Sequence, residues 1–318
     1  MLKLLFNTVH QPRQIEIYNA SILEEIELEF TFSDKCKKNS NREKLLNSHF
    51  KKFYNLQVTK GRGAIANYEF FIKQLIEGDL PCLFFIPETV SPLEKEIEGI
   101  AIKFSSLETN KDILEFSKEY GLLGVLSPFS TTNNYGFTVF EPIYWWKHHI
   151  SQIKNLFKLY KMLKKKQKSQ NVDIIGELLN YKETNGVGTF EWNEGGEIPF
   201  SLNEEKLNDD ELECLDEIAG VHILTLLIKE GLKGAINVDF SDIVRCKDSE
   251  IGFRIKEVYS TNYLLGAIYY DLWQLIGSNT EILFCKYCGR TFTKSGRKKY
   301  CNDSCKSMAY KQRKKGEK

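Results

Sequence analysis

Four cysteines near the end of the chain have the spacing of metal ligands. Cys285 and Cys288 form a C-x2-C pair, twelve residues separate Cys288 from Cys301, and three more separate Cys301 from Cys305. A C-x2-C pair suits a knuckle turn whose backbone amides can donate to sulfur, and Gly289 directly after it supplies the positive φ such a turn often needs. The twelve intervening residues suffice for a short hairpin with Phe292 as its buried plug. Asn302, Asp303 and Ser304 carry good N-cap side chains, so a helix is predicted to start there, with Cys305 in its first turn and Cys301 just ahead of it. Four soft thiolates in a tetrahedral array select zinc, and a filled four-thiolate shell leaves no open position for water. The expectation is one structural Zn2+ held by Cys285, Cys288, Cys301 and Cys305 in a small treble-clef finger.

Basic residues surround these ligands. Arg290, Lys294, Arg297, Lys298 and Lys299 fall on the predicted hairpin, and Lys306, Lys311, Arg313, Lys314 and Lys315 on the predicted helix. At helical spacing Lys306, Tyr310 and Arg313 share a stripe, while Met308 and Ala309 are expected to turn towards the metal core. Basic side chains with an interleaved aromatic suit phosphate contact with stacking or groove insertion. The candidate nucleic-acid contacts are therefore Arg290, Lys294, Arg297, Lys298, Lys299, Lys306, Tyr310, Lys311, Arg313 and Lys314. A protein or acidic-surface partner, and a finger that merely packs on its own body, remain open alternatives.

The rest of the chain supports this division. From Cys285 to Lys318 there are twelve basic and two acidic residues, +10; the remaining 32 basic and 41 acidic residues leave −9 for Met1 to Phe284. A near-neutral chain is thus split into an acidic body and a basic tail, a distribution that points to a polyanion for the tail. At 318 residues, 42% hydrophobic and 13% aromatic, the chain can bury an ample core. No apolar run approaches the roughly eighteen residues that span a bilayer, and Met1–Phe6 is too short for a signal-peptide core. Cys36, Cys82, Cys214 and Cys246 are scattered singly, which fits buried free thiols in a reducing compartment. These features predict a cytoplasmic protein with no membrane partner.

Periodicity predicts a mixed body. Ile26, Leu28, Phe30 and Phe32 alternate with polar residues as in a half-buried strand, and Ile15 and Ile17 suggest a neighbouring one. Ser33–Lys44 reads as a loop or the start of a helix. Leu80–Pro87 is short and apolar enough for a buried strand. Tyr68–Ile76 and Ile113–Tyr120 look helical, with Gly121 as a C-cap. Glu141–Lys168 is the longest helical candidate, its Ile150, Ile153, Phe157, Tyr160 and Leu163 forming one apolar face that Lys161 and Lys164–Lys166 close as a solvated basic end. Gly186–Phe200 reads as a loop or hairpin, Asp209–Leu232 as a second long helix, Phe253 and Ile255 as a last strand, and Leu264–Ile276 as a helix. The fold class is α+β: a mixed α/β body over residues 1–280, helix-rich towards its C-terminus, then the finger over 281–318.

Catalytic motifs do not emerge. His148 and His149 are adjacent, so on a helix they point about 100° apart and are poorly placed to share a metal. No HExxH, Gly-x-Ser-x-Gly or Walker sequence occurs, and no histidine follows His222 to serve a nuclease of treble-clef type. A non-enzymatic role is expected.

At the cysteine-bearing end the chain resembles the bacterial proteins with a C-terminal CGNR-type zinc finger, described as transcriptional regulators, whose N-terminal part is called the ABATE domain. The likeness spans Ser260–Lys315. Leu264–Trp273 resembles the helix before the finger, Phe284–Gly289 with Phe292 its first half, and Tyr300-Cys301 with Cys305 its second half and basic helix. Ile113–Gly124 and Trp146–Leu163 are more loosely similar to the N-terminal domain. The chain reads Lys306-Ser307-Met308 where the family has Gly-Asn-Arg, so it resembles a divergent member. The resemblance implies a DNA-binding transcriptional or stress regulator whose body senses a small ligand or mediates self-association into a homo-oligomer. The alternative is an RNA- or protein-interaction zinc module in a phage-conflict or stress system, or a finger with a purely structural role.

Overall fold

A computed structural model describes residues 4–8, 15–21, 74–85, 93–95, 97–125, 135–136, 140–168, 172, 174–184, 187–192, 197–199, 215–245, 253–278, 281–293 and 298–316. The predicted strand at Ile26–Phe32 and loop at Ser33–Lys44 lie outside these residues. The chain divides into two compact units. The first comprises Met1–Ile97, Glu108–Lys147 and Gly234–Ala267, and the second Glu98–Leu107, His148–Lys233 and Ile268–Lys318. Together they hold helices and small sheets, an α+β composition.

In chain order the strands are β1 (Leu4–Thr8), β2 (Ile15–Asn19), β3 (Pro81–Phe85), β4 (Leu93–Lys95), β5 (Phe140–Pro142), β6 (Leu179–Thr184), β7 (Val187–Trp192), β8 (Glu197–Pro199), β9 (Asn237–Arg245), β10 (Phe253–Thr261), β11 (Ile282–Phe284) and β12 (Thr291–Thr293). The helices are α1 (Ile100–Ser105), α2 (Asn110–Tyr120), α3 (Ile143–Lys166), α4 (Ile174–Leu178), α5 (Leu215–Leu232), α6 (Leu264–Gly277) and α7 (Asp303–Gly316).

The first unit contains two sheets. One has the order β4-β1-β10-β9, in which β1 runs parallel to β10 and the other pairs are antiparallel. The other is the antiparallel set β2-β3-β5. The apolar Leu80–Pro87 run resolves into β3, where Cys82, Leu83 and Phe84 are all buried, as expected for a central strand covered on both faces. Phe84 stacks on Phe140 with ring centroids 5.5 Å apart and meets the edge of Tyr18. Helix α2 starts in a capping box: the Thr109 hydroxyl accepts from Asp112 N at 3.1 Å, and the Asp112 carboxylate accepts from Thr109 N at 2.9 Å. It stops at Gly121, whose φ of 94° ends the helical run.

The long helix begins later than the apolar pattern suggested, at Ile143 instead of Glu141. Pro142 belongs to β5, and Glu141 is taken up by a different task. Its buried carboxylate accepts from the backbone N–H of Leu123, Gly124 and Val125 at 2.9, 2.8 and 3.4 Å, and from Trp146 Nε1 at 2.9 Å. These bonds satisfy a buried turn whose amides would otherwise be orphaned.

The second unit is built around α3, α5 and α6, with the antiparallel sheet β6-β7-β8. The predicted stripe on α3 is buried: Ile150, Ile153, Phe157, Tyr160 and Leu163 all lie inside. Gly220 of α5 sits where a Cβ would meet Leu163, Leu159 and Ile174, so α5 approaches α3 and α4 closely. At Gly231 a Cβ would fall 2.3 Å from the Tyr269 ring, and the bare backbone there admits the aromatic side chain of α6. Tyr269 is fully buried and receives a bond from Gln152 Nε2 on α3 at 2.8 Å. Among the described residues no helix is long and apolar enough to cross a membrane.

Candidate metal centre

Short β11 and β12 pair antiparallel, with Ile282 opposite Thr293 and Phe284 opposite Thr291. The hairpin therefore straddles the knuckle, where the sequence had suggested a hairpin confined to the residues after it. Backbone chemistry explains the difference. Cys285 N donates to the Arg290 carbonyl at 2.9 Å and Gly289 N donates to the Cys285 carbonyl at 2.9 Å, so the C-x2-C segment is itself the hairpin turn. Gly289 has φ 71°, the left-handed conformation that its lack of a side chain permits. Phe292 is buried, as its plug role requires, and Lys286 N reaches the Lys299 carbonyl at 3.2 Å, drawing the second half of the module to the first.

Helix α7 starts where the cap residues predicted. The Asn302 side chain accepts from Cys305 N at 2.8 Å, which makes Asn302 the N-cap and places Cys305 in the first turn. The four sulfurs converge. All lie within 4.8 Å of one another, with Cys288–Cys301 at 3.6 Å, Cys301–Cys305 at 3.5 Å and Cys305–Cys288 at 3.6 Å. Zinc–sulfur bonds of about 2.3 Å put the vertices of a tetrahedron about 3.8 Å apart. A disulfide would hold its sulfurs at about 2.05 Å. The separations fit four thiolates around one ion, and the cysteines are unbridged.

The electrostatics of the cluster agree with a cation site. Burial raises the Cys285 thiol, but backbone N–H groups of Cys288, Cys301 and Tyr287 directed at its sulfur outweigh this and bring it down to about 6. Cys301 is pushed up to about 12 by burial and by the neighbouring sulfurs, and Cys305 is raised by burial first and by Cys288 and Cys285 as well. Without a cation, four sulfurs this close cannot share several negative charges; a divalent ion removes that conflict and deprotonates the ligands.

Two sides of the module differ. The hairpin is docked within the second unit: Ser105 Oγ at the end of α1 bonds Thr291 Oγ1 at 3.2 Å, both groups being buried, and Lys161 of α3 lies 4.7 Å above the Phe284 ring centroid. Helix α7 instead exposes Lys306, Tyr310 and Lys311. Met308 is also exposed, at 43%, and does not turn towards the metal core as expected; only Ala309 is half-buried. Ala309, four positions beyond Cys305, shares that ligand's helix face instead.

The other basic candidates are distributed as follows. Arg290, Lys298 and Lys299 are exposed, and lie in the coil that leads into β12 or away from it, outside the hairpin strands. Arg313 and Lys314 continue α7, with side chains outside the described set, and Lys294 and Arg297 lie outside the described residues altogether. His149 of the early histidine pair is buried in α3, where burial and then the charge of His148 bring it down to about 3.

Sequence reasoning passed over the ties between this module and the preceding chain. Asp271 of α6 accepts from Gly99 N at 3.1 Å and Ala101 N at 2.9 Å, capping α1, whose Ser105 then meets the hairpin. An acidic residue inside the apolar Leu264–Ile276 pattern was the available signal. Compared with family models, with curated proteins and with solved structures, the chain finds no match.

Proposed function

We propose that residues 281–318 form a treble-clef zinc finger that binds nucleic acid, DNA in preference to RNA, and that the chain acts as a DNA-binding regulator of the CGNR-type group. The observation that carries this reading is the exposure of Lys306, Tyr310 and Lys311 on a helix anchored at its first turn by Cys305. Metal ligation fixes the start of α7, so its basic face is presented in a defined orientation while the hairpin is held on the other side. One zinc per chain serves this positioning role and leaves no coordination site for substrate. The body supplies the acidic counterweight, and ligand sensing or self-association through it belongs to the same proposal.

The module's formal charge of +10 becomes about +8 when four thiolates and one zinc dication are included. If five of those charges meet phosphates, log K falls against log salt with a slope of about −4.5. Fluorescence anisotropy of a labelled duplex, titrated with the zinc-loaded full chain at several salt concentrations, tests this. Replacing Lys306, Lys311 and Arg313 by Ala should flatten the slope by about three units with zinc content unchanged. Binding that ignores salt, or that survives undiminished in the triple variant, would refute the reading. Elemental analysis showing no zinc would refute its metal half.

One observation favours a second reading. The buried Ser105–Thr291 contact ties the hairpin to α1, as a purely structural clasp would. That reading predicts unfolding on chelation with no nucleic-acid affinity at any salt concentration.

A further inference from the structure

The last turns of α3 are crowded with lysines, and most of them have an evident local role. Lys158 pairs with Glu177 at 2.9 Å, Lys166 pairs with Asp216, and Lys164 lies over the Tyr160 ring and reaches its hydroxyl. Lys161 and Lys165 are different. They stand four residues apart on one helix face, where like charges repel, and among the described residues neither has a carboxylate within ion-pair distance. Lys161 is held against Phe284, the residue immediately before the first zinc ligand, at 4.7 Å from the ring centroid. Burial and then the charge of Lys165 depress its pKa. Lys165 is exposed one turn further along, and Lys286 is exposed on the knuckle next to Phe284.

We propose that Lys161 and Lys165 of α3 form a second phosphate-contact patch beside the zinc knuckle, extending the nucleic-acid surface of the finger onto the body. This inference rests on the nucleic-acid reading of the finger and deepens it. A finger of under forty residues offers few contacts alone, and a patch fixed at its edge by the Lys161–Phe284 contact enlarges the footprint without requiring any new element to move. The chemistry specifies a linear polyphosphate backbone: two lysines set four residues apart on one helix face, about 6 Å along the axis, present neighbouring positive charges to a line of phosphates. No base-reading group accompanies them, so the patch adds affinity and salt dependence, not sequence preference.

The test uses the zinc-loaded full chain and the same labelled duplex. Lys161→Gln/Lys165→Gln should flatten the salt slope by about 1.8 units, which at 0.1 M salt is a loss of about 60-fold in affinity. Lys161→Arg/Lys165→Arg, which keeps both charges, should retain the wild-type slope. Because Lys161 is partly covered by Phe284, Lys165→Gln alone provides a variant at an exposed site, with an expected change of about 0.9 units. Wild-type slopes in both Gln variants, alongside a flattened slope when Lys306 and Lys311 are replaced, would overturn the patch and leave the finger reading intact. An unaltered slope in the Lys306/Lys311 variant would instead overturn the finger reading, and the extension with it. Retention on phosphatidylserine vesicles in place of duplex, abolished by the same Gln pair, would overturn the assignment to nucleic acid.

Discussion

Replacing Asp271 should loosen the hairpin from the body without touching a single metal ligand. The Asp271 side chain is 5% exposed and its carboxylate accepts two backbone N–H bonds, from Gly99 at 3.1 Å and Ala101 at 2.9 Å. Those groups are the orphan donors at the start of α1, where Gly99, with φ 74°, offers no side-chain cap of its own. Helix α1 has six residues, too few to persist alone, so its position depends on this anchor and on its buried Ile100, Ala101 and Phe104. Hydrogen bonds to an ionised group contribute about 1.5–3 kcal/mol each, so Asp271→Ala, which leaves both amides unpaired, should cost about 3–6 kcal/mol. Asp271→Asn keeps one acceptor and should cost about half as much. The loss should reach Ser105 and hence Thr291 in β12. Urea denaturation gives the energy, and hydrogen exchange over residues 98–107 and 281–293 gives the location. Zinc content should stay at one per chain, since the sulfur cluster is closed without α1. A variant within 1 kcal/mol of wild type, with unchanged protection over 98–107, would refute the argument. The pH dependence supplies a second check. Burial, opposed by the two amides, holds Asp271 up to about 6 from an ordinary 3.8. Over that window the folded chain keeps a proton that the unfolded chain releases, so stability falls as pH rises from about 4 to 6, and Asp271→Asn should remove this fall.

Two further perturbations address the interior of each unit. Glu141→Gln places an amide N–H2 against N–H donors whichever way it turns, because one carboxylate oxygen serves Gly124 and Val125 and the other Leu123 and Trp146; it should cost about 3 kcal/mol or more, and an unchanged urea midpoint would show that the carboxylate does not hold that turn. His149, held down to about 3 from 6.5 by burial and by His148, excludes a proton that the unfolded chain accepts, so stability is lost as pH falls from 6.5 towards 3, at about 1.4 kcal/mol per pH unit. His149→Leu should flatten that acid limb relative to wild type in urea melts between pH 4 and 7, and identical pH profiles would count against a buried neutral imidazole.

The elements that were legible in the sequence are those whose own side chains carry the periodic signal. The α3 stripe, the C-cap at Gly121 and the apolar strand around Leu83 could be read because burial there follows directly from local pattern. Strands β1, β6 and β9 went unread. Strands β6 and β9 form hairpins with the strands that follow them, β7 and β10, whereas β1 pairs with a strand distant in sequence, Leu4 lying opposite Tyr259 of β10, and no local period announces such a partner. The early start assigned to α3 has the same origin. Glu141 fits a helical register, but its carboxylate is claimed by amides eighteen to sixteen residues upstream.

The metal centre was legible for the opposite reason, because its ligands and its caps are both local. Cysteine spacing, Gly289 and Asn302 specify the knuckle and the start of α7 within a window of twenty-one residues, and the four sulfurs come together there. What spacing could not reveal is which faces of the module are spent. Phe292 and Thr291 are turned inward, Thr291 against Ser105, and Phe284 is covered by Lys161, so the hairpin side has limited area for a partner. The described basic residues of the module, Lys286, Arg290, Lys298, Lys299, Lys306 and Lys311, are all exposed, on α7, on the knuckle and at the rim of the hairpin. The proposed salt slope counts five of the eight net charges, about three-fifths of what +8 would allow, so a contribution from α3 would be measurable above it.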